Sequence, residues 1–141
     1  MKATEVLVSQ HVFLNTMLEE MGRAARTLET LAEIASFARL AETLARDHGR
    51  AEESFLFAPL DNVLVEKGQL SQLCFDHRES VGFLRQAQEP RQVEEARGLL
   101  LAGMARLREH FRDEEGVVIP LAEESLPPQL LEKLGDAWMG R

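Results

Sequence analysis

Two phrases in this sequence repeat, and each pairs a histidine with a carboxylate. One reads HGRAEESFLFAPL from His48, the other HFRDEEGVVIPL from His110. Both run His, three residues, Glu-Glu, an apolar stretch, Pro, Leu, so Glu52 and Glu114 each stand four residues after their histidine. On a helix, residues four apart stack on one face with Cβ atoms about 5–6 Å apart. Each phrase therefore presents an imidazole and a carboxylate side by side. Those are metal-ligand groups, and the chain has just two further histidines, His11 and His77. The chemistry this suggests is metal binding.

Something must bring the six residues together, and the apolar spacing says what. Leu, Ala, Glu and Arg dominate, β-branched runs are scarce, and apolar residues recur every three or four positions, which favours helix. A first helix is predicted from about Thr4, a plausible N-cap, to about Leu28, with a stripe of Leu7, His11, Leu14, Leu18, Met21 and Ala25. A second runs from about Glu33 to Phe57 through Ile34, Phe37, Ala41, Leu44, His48, Glu52 and Phe55, ended by Pro59, and DNVLVEKG follows as a connection. A third spans about Gln69 to Gln88 through Leu70, Leu73, Cys74, His77, Val81 and Leu84. Pro90 opens a fourth, to about Glu124, through Val93, Leu100, Leu107, His110, Glu114, Val117 and Leu121, with Pro120 closing its repeated phrase. Pro127 and Pro128 break that helix, and a short amphipathic one carrying Leu130, Leu131, Leu134 and Trp138 packs across the bundle. Four long helices with short connections read as an all-α, up-down-up-down four-helix bundle with a short extra C-terminal helix. The bundle covers about residues 4–124 and the short helix about 127–139 of a single domain, 1–141.

The stripes carry one histidine per long helix, together with Glu52 and Glu114. Buried carboxylates are costly unless paired or metal-bound. At about 1.5 Å per residue, His11, His77, Glu52 and Glu114 fall roughly 9–12 Å from the same end of an antiparallel bundle, and His48 and His110 stack beside their carboxylates. Four His and two carboxylates exceed what one tetrahedral zinc takes. They suit two ions, each with two His, bridged by both carboxylates. Imidazole accepts Zn, Cu, Fe or Ni, while bridging carboxylates lean towards Fe or Mn. Singly, each residue has a plainer reading: His11 as a boundary histidine, Glu52 and Glu114 as helix ion pairs to an arginine such as Arg112. Convergence favours the ligand reading. Glu53 and Glu115 are turned about 100° away and face water. Cys74, one turn before His77, reads as a small buried hydrophobe, with a redox-sensing thiol second. Trp138 and the Met residues read as packing.

Composition limits the partners. Net charge is −8, which argues against nucleic acid and anionic membranes. No apolar run approaches the ~20 residues of a membrane span, and no signal peptide is evident. The single Cys excludes an internal disulfide and suits a reducing cytoplasm. The chain has no Tyr, so no tyrosine serves as ligand or radical carrier.

The set His11, His48-x-x-x-Glu52, His77, His110-x-x-x-Glu114, with Glu-Glu, an apolar stretch and Pro after both paired histidines, resembles the haemerythrin-like (HHE cation-binding) family. The resemblance covers the chain up to about Pro127. It implies a four-helix bundle holding two iron ions in an oxo- or hydroxo-bridged non-haem centre, with manganese or zinc as alternatives. The oxygen carriers of that family use five His, with a second ligand on the third helix and His-x-x-x-x-Asp on the fourth. Here Leu73 and Val81 flank His77 and the fourth helix offers Glu114, so the four-His, two-Glu set is closer to the metal domain of the iron-centre repair type. The paired-Cys N-terminal domain of that type is missing. What the resemblance implies is a protein that reacts with or senses dioxygen or nitric oxide, or handles iron under oxidative or nitrosative stress. The alternatives are a metal-gated regulatory or structural module, and an oxidoreductase acting on peroxide or nitric oxide. With no nucleophile arrangement and no separate substrate pocket in the sequence, binding or sensing ranks above enzyme.

Overall fold

The structure is a computed structural model that describes residues 1–140. Its helices are α1 (Ala3–Ala25), α2 (Leu31–Glu52), α3 (Ala58–Val63), α4 (Gly68–Gln86), α5 (Val93–Ser125) and α6 (Pro128–Trp138). A π-helical turn, Glu53–Phe57, joins α2 to α3 without a break. There is no strand among the described residues. The fold is the expected all-α helical bundle with a short C-terminal helix.

The long helices alternate in direction, and the core shows it. Two apolar clusters fill the bundle. Leu14, Ala45, Val81 and Phe111 belong to one, and Leu7, Leu56, Leu73 and Val118 to the other. Along α1 the chain passes from Leu7 to Leu14, from the second cluster to the first. Along α2 and the π turn it passes from Ala45 to Leu56, the reverse. α4 then runs from Leu73 to Val81, and α5 from Phe111 to Val118. His11, His48 and His77 mark the changeover on the first three, and Glu114, one turn after His110, marks it on α5. The polar residues thus form one layer between two greasy ones, and either side shields them from water.

The helix ends differ from the expectations in instructive ways. Thr4 is not the N-cap of α1. Lys2 takes that place, with the Glu5 carboxylate accepting from its backbone N–H, while the Thr4 hydroxyl donates to Glu123 on α5. The well-formed cap belongs to α2, where the Thr30 hydroxyl accepts from the Glu33 N–H and the Glu33 carboxylate accepts from the Thr30 N–H.

Neither proline of the repeated phrases ends a helix. Before Pro59 the backbone widens into the π turn, in which the Ala58 N–H reaches back five residues to the Glu53 carbonyl. The wider turn gives the proline ring room against the carbonyl four residues back. The helix therefore continues to Val63, into the stretch expected to be a connection. Pro120 lies inside α5, which passes over it without a break. Pro90 also stands outside α5, whose N-cap is Gln92.

α6 packs across the bundle onto α1 and the π turn. Gly135 allows this contact, since a Cβ there would lie 2.0 Å from the backbone oxygen of Met1. At the far end, Arg97 of α5 donates to the carbonyl of Ala25, which α1 leaves open as it ends, and to that of Leu28 in the connection that follows. No helix among the described residues is long and apolar enough to cross a membrane.

Candidate metal centre

Four of the six predicted residues meet at one point. His11, His48, Glu52 and Glu114 each place a ligand atom within 4.8 Å of the others, and all four are buried. The Nε2 atoms of His11 and His48 are 3.0 Å apart. Glu52 Oε2 lies 2.9 Å from His48 Nε2 and 3.9 Å from His11 Nε2. Glu114 Oε1 lies 3.0 Å from His11 Nε2.

The outer nitrogens of these two rings fix what the inner ones do. His48 Nδ1 is 2.7 Å from the amide oxygen of Gln10, which can only accept. His11 Nδ1 is 2.9 Å from Glu115 Oε1. Each Nδ1 therefore carries a proton, and in the neutral rings each Nε2 turns a lone pair inward. Two nitrogen lone pairs and two carboxylates then face one another at hydrogen-bonding distance with too few protons among them. A cation at their centre resolves that conflict, and a hydrogen-bonded carboxylate or amide behind a ligating imidazole is the usual way to orient one.

His110 joins the cluster through the other oxygen of Glu114, with Nε2 at 3.1 Å from Oε2. These are close approaches without hydrogen-bond geometry. Both nitrogens of His110 and both oxygens of Glu114 are buried with no hydrogen-bond partner. Orphaned polar atoms of this kind are rare in a folded core and ask for an explanation, which a bound cation supplies. The Glu114 carboxylate thus spans from His11 to His110.

His77 stands further out. It is half-buried, its ring 5.5 Å from that of His110 between ring centres. It lies outside the four-residue cluster.

Titration follows this layout. Burial pushes Glu114 well above the usual carboxylate range, helped by the charge of Glu52. Burial would raise Glu52 too, but the groups of Glu114, His11 and His48 crowded against it outweigh that and hold it below that range. Without a cation the pair holds one proton between its two carboxyls. Burial pushes His110 down to about 4 and also lowers His77, so both rings are neutral near pH 7 with lone pairs available.

Two openings reach the layer, both on the His77 and His110 side. One, of about 270 Å³, is lined by Gly49, Glu52, Glu53, Phe57, Cys74, His77 and Arg78. The other, of about 180 Å³, borders His110 among Asp76, Glu109 and Asp113.

Some expectations about the surroundings change. Glu53 faces solvent as expected, but Glu115 is held against His11 rather than left to water. Neither Glu52 nor Glu114 pairs with an arginine among the described residues, which removes their plainer reading. Trp138 packs on Phe55 with ring centres 5.8 Å apart and reaches 6.3 Å from His48. Cys74 is half-buried and shares an opening with His77 and Glu52. Gln10 was not among the predicted residues. Its position beside His11 gives no hint that it serves His48 instead, because that depends on how α1 turns towards α2.

A protein-family model, the hemerythrin HHE cation binding domain, matches residues 2–122. No curated protein and no solved structure matches the chain.

Proposed function

The chain belongs to the hemerythrin HHE cation-binding family, and on that premise we propose that it holds two iron ions and uses them to bind or sense a small diatomic molecule, dioxygen or nitric oxide. The observation that carries the reading is the set of inward lone pairs and orphaned carboxylate oxygens in a layer sealed above and below by apolar side chains.

His11 and His48 would hold one ion and His77 and His110 the other, with Glu52 and Glu114 between them. Gln10 and Glu115 keep the first two rings in the tautomer that turns Nε2 inward. Glu114 supports a bridging role because its two oxygens face histidines on opposite sides. Bound there, iron would supply two adjacent redox-active centres with coordination positions that the six side chains do not fill. The apolar layers shield the site above and below, so access falls to the openings of about 270 and 180 Å³ on the His77 and His110 side, which suits small ligands. Histidine and carboxylate donors also fit manganese or zinc.

The residue set is that of the iron-centre repair type rather than of the five-histidine carriers, which favours sensing, scavenging or iron handling under oxidative or nitrosative stress over reversible carriage. The expected site of action is the cytoplasm.

Iron analysis of protein purified without oxygen tests the first part, with about two ions per chain expected. Stopped-flow mixing of the reduced protein with dioxygen and with nitric oxide tests the second. An optical change with either gas is expected, without many cycles of release under vacuum. Stoichiometric zinc from iron-replete cells would overturn the iron assignment. No response to either gas would overturn the ligand assignment and leave a metal-gated structural module.

A further inference from the structure

We infer that Gly49 is the positioning residue that gives this chain its second metal position, because the missing side chain there is the seat of the His77 ring. The inference rests on the two-ion reading above. Gly49 follows His48 directly and lies three residues before Glu52 on α2. A Cβ placed on it would stand 2.4 Å from His77 Nε2, 2.8 Å from Cε1 and 3.2 Å from Cδ2. Side-chain carbons do not approach that closely, so any other residue at this place displaces the imidazole.

No other property of the position asks for glycine. Gly49 lies within α2, and Gly140 is the only glycine with positive φ among the described residues. In a helix interior alanine is the more favourable residue. What remains is the close approach.

The three atoms nearest to a methyl group there all belong to the tip of one side chain. The helix backbone need not move. His77 would swing off its seat, taking its Nε2 edge away from α2, the helix that carries Glu52. The His11 and His48 side of the layer loses no contact.

The test compares wild type with Gly49→Ala, His77→Ala, the double variant and Gly98→Ala. Gly98 is an exposed glycine on α5 whose added Cβ meets nothing within 4 Å, so it reports the helix effect alone. Each protein is loaded with ferrous iron without oxygen, freed of excess and assayed for iron per chain. Wild type and Gly98→Ala should retain about two ions. Gly49→Ala, His77→Ala and the double variant should each retain about one. In the metal-free proteins, the His77 ring signal in the NMR spectrum, identified by its loss in His77→Ala, should shift in Gly49→Ala. The His11 and His48 signals should hold, and melting should occur no earlier than in wild type. Two ions in Gly49→Ala, none in Gly49→Ala, or an unmoved His77 signal would each overturn the inference alone. Fewer than two ions in wild type would overturn the two-ion reading and this inference with it.

Discussion

The two copies of the repeated phrase are alike in sequence and different in use. After the histidine, one has Gly49 and the other Phe111. Gly49 leaves a space that His77 of α4 occupies. Phe111 fills the corresponding space, stacking on His11 of α1 with ring centres 4.3 Å apart and meeting the edge of His48 at 5.4 Å. After the key carboxylate, one has Glu53, exposed, and the other Glu115, bonded to His11. The first phrase then widens into a π turn, and the second continues as α-helix. The result is a layer with a closed side and an open side. On the closed side His11 and His48 are buried and tied behind by Glu115 and Gln10. On the open side His110 has no partner at Nδ1, His77 is half-buried, and two openings reach His77, Glu52 and His110, whereas the cavity on the other side reaches only as far as Glu115. The shared residues supply the donor set, and the variable ones between them decide how firmly each donor is held.

Removing the metal is the strongest way to erase this contrast. An ion present at 100 times its dissociation constant adds about 2.7 kcal/mol to folding stability, so two add about 5 kcal/mol. For a chain of this size that corresponds to roughly 10–20 °C in melting temperature. Thermal melts with and without excess chelator should show a loss of that order. Limiting chelator should take one ion first, with the smaller share of the loss, because the open side is less firmly held. Two ions leaving together would break the comparison.

Next comes Glu114, which both sides share. Glu114→Ala should lower affinity at both positions, by more than the roughly 100-fold that loss of a supporting residue costs. Glu53→Ala should bind as wild type does, since Glu53 stands outside the layer. Isothermal titration with ferrous iron under nitrogen distinguishes the two. Equal losses would mean the carboxylates are placed in the wrong order around the layer.

Glu115 should fall between them. Glu115→Ala frees the Nδ1 of His11, so the closed-side ion should bind about 10–100-fold more weakly, while the open-side ion keeps its affinity. Glu115→Gln retains an acceptor oxygen and should recover most of the loss. An effect confined to the other ion would show that the closed side is not the one Glu115 supports.

The contrast also explains which features could be read in the sequence. Apolar spacing put all four histidines and both glutamates on core-facing stripes, because burial on one face of a helix is a property of that helix alone, and all but the half-buried His77 are buried. The one-residue alternatives failed where a neighbouring helix decides. Glu115 is turned about 100° from Glu114 along α5, which suggests water, yet α1 lies in that direction and offers His11. Gly49 carries no signal of its own in the sequence, and its role shows only in the His77 ring set against it. Thr4 has the right chemistry for an N-cap, but Glu123, across the bundle, takes its hydroxyl. The prolines misled for a local reason: a π turn in one phrase and a tolerated gap in the other both let the helix run on, and proline alone does not say which.

That last difference can itself be measured, with the smallest expected effect. In α5, Pro120 cannot donate to the Gly116 carbonyl, and its ring crowds that turn. In a helix interior proline costs about 3 kcal/mol relative to alanine. Proline also stiffens the unfolded chain, which offsets about 0.4–1 kcal/mol of that cost. Pro120→Ala should therefore stabilise the metal-free protein by about 2 kcal/mol, read as a higher urea midpoint with an unchanged slope. Pro59 follows a turn already rearranged, in which Ala58 bonds to Glu53 across five residues. Alanine there has little strain to relieve, so Pro59→Ala should change stability by less than about 0.5 kcal/mol, within the range of ordinary surface substitutions. An equal gain in both variants would show that the π turn does not accommodate Pro59, and the widening beside Glu52 would need another cause. A gain at Pro120 alone would tie the π turn to the first phrase's proline and leave the second phrase with the unrelieved strain.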